Sequence, residues 1–357
     1  MTLDDVQALA RVDAHDTRRV LADFPAQCRQ ARELRVTPAM TTARPRLVVM
    51  AGMGGSAAGA DLLATCGAVT AEVPLLVHRG YGLPAAVTGD ALVVASSYSG
   101  DTAEVISAVE AALARRVAVV AITSGGALGA LAARHGLPRV TLSAGLMPRM
   151  ALGWLVFPAL HALTACGVSI ATEEDVEEAL HVVAAQAGEL APETATEKNE
   201  AKRLALAIGP RLPAIYGGPL TGTAAYRWKT DLEENAKLLA VAGALPEMNH
   251  NEIEVWQGAA ARALHAVLLR EEGEAPEIAR RFAVVHELLG PAAGGLSETW
   301  ARGRSRFARL LSLVQLGQWV SYYAAMLRDT DPWPVPVLTE VKRRLSGART
   351  PGGPPAP

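Results

Sequence analysis

Apolar residues along this chain follow two alternating rhythms. Segments such as "RLVVMAG", "ALVVASS" and "VAVVAIT" hold unbroken apolar runs. Short runs of Val, Leu and Ala of this kind predict strands buried on both faces. Between them, stretches such as "DTAEVISAVEAALARR" place apolar residues at helical spacing, which predicts helices packed by one stripe. In chain order, "RLVVMAGMGGSAAGADLLATC" reads as strand, glycine turn and helix, and "AEVPLLVHRGYGLP" as a second strand. "ALVVASSYSGDTAEVISAVEAALARR" and "VAVVAITSGGALGALAARHG" each repeat strand, turn and helix, and "PRVTLSAG" supplies a short fifth strand. Strands alternating with helices imply right-handed crossovers and a parallel sheet, hence an α/β fold. The stretch "TLDDVQALARVDAHDTRRVLADFPAQCRQARELRV" predicts a leading helix with Thr2 as its N-cap.

"PRMALGWLVFPALHALTACG" and "TEEDVEEALHVVAAQAGELA" predict two successive helices, and strand signals cease near residues 170–200. The order then restarts. "NEAKRLALAIGP" reads as helix, "LPAIYGG" as strand and glycine turn, "GTAAYRWKTDLEENAKLLA" as helix and "RALHAVLLRE" as strand. "EIARRFAVVHELLG" and the long, amphipathic-looking "SRFARLLSLVQLGQWVSYYAAMLRD" are helices. The chain therefore divides into 1–175, 195–345 and a tail, 346–357, with the two halves reading as one α/β unit used twice. The tail, "SGARTPGGPPAP", is rich in Pro and Gly and is expected to be disordered.

Composition narrows the function. The 34 basic and 36 acidic side chains leave a formal charge of −2, so no basic field favours nucleic acid. No segment has the ~18 consecutive apolar residues of a membrane span, and the N-terminus carries acids where a secretion signal carries bases. A cytoplasmic protein is expected. Cys28, Cys66 and Cys166 form no CxxC and no disulfide framework, and read as small buried hydrophobes. The eight histidines show no HxH or HExxH spacing, so a protein metal site has little support, and no organic cofactor is expected.

The candidate chemistry gathers at strand ends. In "AGMGGSAAGADLL", glycines 52, 54 and 55 permit close backbone approach, and Ser56 falls near a helix start where free amides favour an anion. "SSYSGDT" places Ser96, Ser97, Ser99 and Thr102 at the next such junction of the same sheet. Two turns on one carboxyl edge can converge on one phosphate. A plain capping role for Ser99 or Asp101 is the competing reading. "KTDLEENAKLL" carries Lys229, Asp231, Glu233, Glu234 and Lys237, whose simplest account is a solvated face with Glu233 and Lys237 paired. "ALPEMNHNEIEVW" sets Glu247, Asn249, His250, Asn251 and Glu252 after a proline turn, where a surface loop is the plainer alternative to catalysis.

Taken in order, "GMGGSAAGADLL", "SSYSGDT", "GLMPRMALG", "RWKTDLEENAK" and "LPEMNHNEIEVW" resemble the bifunctional phosphoglucose/phosphomannose isomerases of the sugar isomerase (SIS) superfamily. The resemblance covers roughly residues 45–345. It implies two SIS domains, each a parallel five-stranded sheet flanked by helices, and a homodimer with sites near its interfaces. It implies a phosphate site of Gly54, Gly55, Ser56, Ser97, Ser99 and Thr102. It also implies a catalytic Glu234, a catalytic His250, a charge-stabilising Arg149, and Lys342 of "LTEVKRRL".

The implied reaction is reversible aldose–ketose isomerisation of a hexose 6-phosphate through a cis-enediolate. Glu234 would move the proton between C1 and C2, Arg149 would meet the developing charge, and His250 with Lys342 would assist ring opening. The alternatives are a non-catalytic phosphosugar-binding SIS protein, which needs the phosphate cup but neither Glu234 nor His250, and another SIS sugar-phosphate isomerase.

Overall fold

A computed structural model of the chain describes residues 2–40 and 43–347. Three short helices open it: α1 (Val6–Val12), α2 (Thr17–Ala22) and α3 (Phe24–Arg32). The expected single leading helix is thus broken twice, for local reasons. Asp5, not Thr2, caps α1 by accepting from the Ala8 amide. The Asp13 carboxylate accepts from the amides of Thr17 and Arg18, so a side chain replaces the helical ladder there. Pro25 sits in the first turn of α3, where its missing N–H costs nothing.

The first sheet is built from β1 (Leu47–Ala51), α4 (Gly54–Gly67), β2 (Leu75–His78), β3 (Ala91–Ser96), α5 (Ala103–Ala114), β4 (Ala118–Thr123), α6 (Gly126–Arg134) and β5 (Arg139–Thr141). Its five strands run parallel in the order β2-β1-β3-β4-β5. Every residue of β3 is buried, as its unbroken apolar run requires.

Helices α7 (Leu152–Ala165), α8 (Glu173–Leu190) and α9 (Glu200–Ile208) lead to the second sheet. That sheet comprises β6 (Leu212–Gly217), α10 (Gly222–Asn235), β7 (Val241–Ala244), β8 (Leu264–Arg270), α11 (Pro276–Ala292) and β9 (Gly295–Trp300), followed by α12 (Arg306–Met326) and α13 (Pro336–Gly347). It is parallel in the order β7-β6-β8-β9. Among the described residues it has four strands, which corrects the expected five. Of the expected disordered tail, residues 348–357 lie outside the described residues.

The two halves share a core. One apolar cluster joins the inner faces of both sheets through α4, α7, α8, α10 and α12, with Phe157, Trp228, Phe307 and Trp319 at its centre. Smaller clusters fill the outer faces, under α5 and α6 in the first half and under α11 in the second. In α12 every residue but Arg306 and Arg309 is buried. It is the central helix of the molecule rather than an amphipathic surface helix, because other elements cover all its faces. Thr65 on α4 and Thr223 on α10 share a hydrogen bond of 2.6 Å, tying the halves directly.

Candidate active site

The two hydroxyl-bearing turns of the first sheet meet. Ser56, at the start of α4, accepts from the Tyr98 amide at 3.1 Å. Ser97 and Thr102 hydroxyls lie 2.8 Å apart, and the Gly100 amide donates to Ser97 Oγ at 3.1 Å. Gly100 adopts φ +79 and packs so closely on the Gly125 carbonyl that a Cβ would overlap it. Only glycine makes this turn. Ser99 is exposed and accepts from the Asp101 amide.

Neither α4 nor α5 has a side-chain cap. Asp101 instead accepts from the Ala127 amide, in α6. The capping reading of Ser99 and Asp101 therefore does not hold for α5. The first amides of both helices stay open to an anion.

Gly55 links this nest to the next group. A Cβ there would stand 2.7 Å from the backbone nitrogen of Arg149 and from the Pro148 carbonyl carbon, so the absent side chain lets the two turns touch. Tyr98 reinforces the junction. Its hydroxyl donates to the Ser143 carbonyl at 2.6 Å and accepts from the Leu146 amide at 3.1 Å, holding the segment that leads into the Pro148–Met150 turn.

Arg149 is 2 % exposed. Its Nη1 donates to Glu234 at 3.3 Å, joining a cation from the first half to a carboxylate on the last turn of α10. Glu234 keeps 26 % of its side chain exposed. Burial pulls the Arg149 guanidinium below the ordinary arginine value, and the carboxylates of Glu234 and Asp231 oppose that. Asp231 itself is buried in an ion pair with Arg227 at 2.7 Å, and burial pushes its carboxyl up to about 6 against the pull of Arg227. Arg227 in turn donates to the Arg149 carbonyl at 2.6 Å.

The helix bearing Glu234 is therefore not a solvated charged face. Lys229 pairs with Glu233 at 2.8 Å. Lys237 lies past the helix end at φ +52 and donates to the Glu234 carbonyl, so the expected Glu233–Lys237 pair gives way to these.

His250 and Lys342 stand elsewhere. The turn Glu247–His250 follows β7 and is anchored by buried Met248 and Trp256. The Asn251 amide nitrogen donates to Glu247 at 3.0 Å. His250 points outward and is exposed, and the hydrogen-bond network around Arg149 does not reach it. Lys342 is exposed on α13, a helix that begins just beyond Trp333, whose carbonyl Arg149 binds.

The structure thus joins Gly54, Gly55, Ser56, Ser97, Ser99, Thr102, Arg149 and Glu234 into one corner. Tyr98, Arg227 and Asn235 belong to the same corner and were not singled out by sequence reasoning. Their signal was positional only, since each lies inside one of the quoted motifs. Among the described residues no group of three or more His, Cys, Asp and Glu is placed to hold a metal ion. Among them no helix is long and apolar enough to cross a membrane.

Residues 197–345 match the family model of the bacterial phospho-glucose isomerase C-terminal SIS domain. A bifunctional phosphoglucose/phosphomannose isomerase of Caldicellulosiruptor bescii is 36% identical over 304 residues, covering 84% of this chain and 89% of that protein. The chain belongs to the bifunctional phosphoglucose/phosphomannose isomerase family. A further member, from Thermoplasma acidophilum, is 32% identical over 84% of this chain and 89% of its own length. Among solved structures, a glucose-6-phosphate isomerase like protein from Thermus thermophilus shares the fold, with a TM-score of 0.62 at 23% identity over 96% of this chain and 99% of that one.

Proposed function

We propose that this isomerase interconverts fructose 6-phosphate with glucose 6-phosphate, mannose 6-phosphate or both, through a cis-enediolate. The observation that carries the reading is that the turn bearing Arg149 packs on Gly55 of the serine-lined nest while its guanidinium pairs with Glu234. A base, a fixed cation and an anion nest in one corner are the parts such chemistry needs.

The phosphate sits on the open amides of α4 and α5 and on the hydroxyls of Ser56, Ser97, Ser99 and Thr102. The sugar then extends toward α10. Glu234 removes the proton from C2 of the aldose and returns it to C1, or the reverse. Arg149 Nη1 faces the oxygens on which the enediolate charge builds. Held in place beforehand, it needs no reorganisation during the reaction. Ring opening requires a proton to move at the ring oxygen, a task suited to a histidine.

Because His250 is exposed, we infer that it completes the site of a second copy in a homodimer, with Lys342 beside it. Mixing Glu234→Gln with His250→Ala chains is then expected to restore about a quarter of wild-type activity, as one intact site forms in each hybrid of a symmetric pair. No recovery on mixing would remove this arrangement.

The sheets occupy residues 47–141 and 212–300, which supports SIS domains at 1–175 and 195–345. Three buried, unpaired cysteines suit a reducing cytoplasm, which cell fractionation reads directly.

The test of function is a coupled assay with fructose 6-phosphate as substrate, with and without EDTA. Formation of glucose 6-phosphate or mannose 6-phosphate at equal rates in both is expected. A fully folded protein that forms neither would overturn the reading.

A further inference from the structure

We propose that Asn235 is a positioning residue, a neutral amide that aims the Arg149 guanidinium at the substrate without cancelling its charge. The proposal rests on the isomerase reading above and goes beyond it.

A guanidinium has five N–H groups. Nε donates to Asn235 Oδ1 at 2.7 Å. Nη2 donates to the carbonyls of Pro332 and Trp333, both at 2.8 Å. All three short bonds end on uncharged oxygens. Only Nη1 is left over, and its bond to Glu234 is the longest of the set at 3.3 Å. The cation is thus gripped on two sides by neutral acceptors, and its remaining side faces Glu234.

The direction of each bond is fixed. Arginine can only donate, so the Asn235 amide must turn its oxygen to Arg149. Its nitrogen then donates to Ser321 Oγ at 2.9 Å. The Ser321 hydroxyl donates onward to the Gln318 carbonyl at 2.7 Å. Asn235 is 1 % exposed and Ser321 fully buried on α12, so water cannot substitute for either partner. An aspartate has the same outline, but it has no hydrogen for Ser321 and sets a fixed negative charge against Nε.

That charge would join those already grouped around Glu234. These are Arg149 from the turn before α7, Arg227 and Asp231 from α10, and Lys237 just past its end, which also feels Asp331. Adding a negative charge to this set makes a proton on Glu234 harder to remove.

The test compares wild type, Asn235→Asp and Ser321→Ala for melting temperature, kcat, KM and the dependence of kcat on pH, with fructose 6-phosphate as substrate. Asn235→Asp is expected to lower kcat by about 100-fold, the scale set by a lost or misaimed transition-state donor, while KM changes by less than about threefold. The acidic limb of its pH profile is expected to move upward by about one pH unit. Ser321→Ala frees the amide without adding charge, so kcat falls by about tenfold and the limb stays in place.

A folded Asn235→Asp with wild-type kcat, or with lowered kcat and an unmoved limb, overturns the proposal. The second pattern would mark a merely structural asparagine. If Asn235→Asp does not fold, Ser321→Ala decides, and an unchanged kcat there overturns it. These failures are separable from failure of the functional reading, because wild type would still isomerise fructose 6-phosphate. A wild type without that activity defeats both.

Discussion

At the carboxyl edge of the first sheet, β1 and β3 run into turns that hold Ser56, Ser97, Ser99 and Thr102. At the matching edge of the second sheet, β6 and β8 run into "GGPLTG" and "REEGEA". The strand order around both junctions is alike, yet the furnishing differs. Thr221 and Thr223 are the hydroxyls of the β6–α10 junction, and both are engaged: Thr221 accepts from the Gly218 amide at 2.7 Å and donates to the Leu269 carbonyl at 2.6 Å, and Thr223 shares a 2.6 Å hydrogen bond with Thr65. After β8 the hydroxyls are replaced by charge. Arg270 is bound by Glu274 at 2.6 Å and Glu298 at 3.1 Å, and Glu271 by Arg309 at 3.1 Å. Carboxylates there repel a phosphate and occupy the cations that would hold one.

The second half contributes through the far end of its first helix instead, where Glu234 meets Arg149. Under the proposed function this repeated architecture supports a divided site, with the anion nest on one unit and the base on the other.

The largest expected effect tests the second unit's share. Glu234→Gln removes the proposed base, and turnover of fructose 6-phosphate in the coupled assay is expected to fall by about 10²–10⁴-fold. A loss smaller than about tenfold would assign the proton transfer to another group.

The next tests the seam. Gly55→Ala drives a Cβ against the Arg149 turn. Separating nest and cation is expected to cut kcat by about 10–100-fold, and the overpacking to cost about 1–3 kcal/mol by chemical denaturation. Wild-type activity in this variant would mean that the two turns need not touch.

The smallest effect on catalysis belongs to the second sheet's edge. Thr221→Ala loses two internal bonds and is expected to lower stability by about 1–3 kcal/mol while leaving KM unchanged. A raised KM would show that this edge also meets substrate.

How much of this was legible in the sequence follows from burial. Fully buried strands announced themselves as apolar runs, as in β1, β3, β4, β6 and β8. The edge strands β7 and β9 did not. "VAGA" offers small residues, and "GLSETW" alternates toward solvent, with only Thr299 buried. An edge loses the signal of a central strand where its residues are small or polar, whereas the edge strand β2 still shows as Leu, Leu and Val in a row.

Helix α12 misled in the opposite sense. Its Gln, Ser and Tyr residues suggest a polar face, but other elements cover that face, and part of its polar groups find partners inside the core: Tyr323 donates to the Leu190 carbonyl and Gln315 to that of Val183. The two hydroxyl-bearing turns were legible because each is a short run at the end of a strand, Gly54–Ser56 after β1 and Ser97–Thr102 after β3. The Arg149 cage was not, because Asn235, Ser321, Pro332 and Trp333 come from three separate segments, and no local pattern announces their meeting.

The central claim is that one edge alone holds the phosphate while the base lies on the other unit. Calorimetric titration of fructose 6-phosphate into Glu234→Gln, with and without Ser97→Ala, tests it without turnover. One site per chain is expected in Glu234→Gln, weakened at least tenfold by adding Ser97→Ala, the scale of a hydrogen bond to a charged group. Two sites per chain, or an affinity indifferent to Ser97, would contradict it.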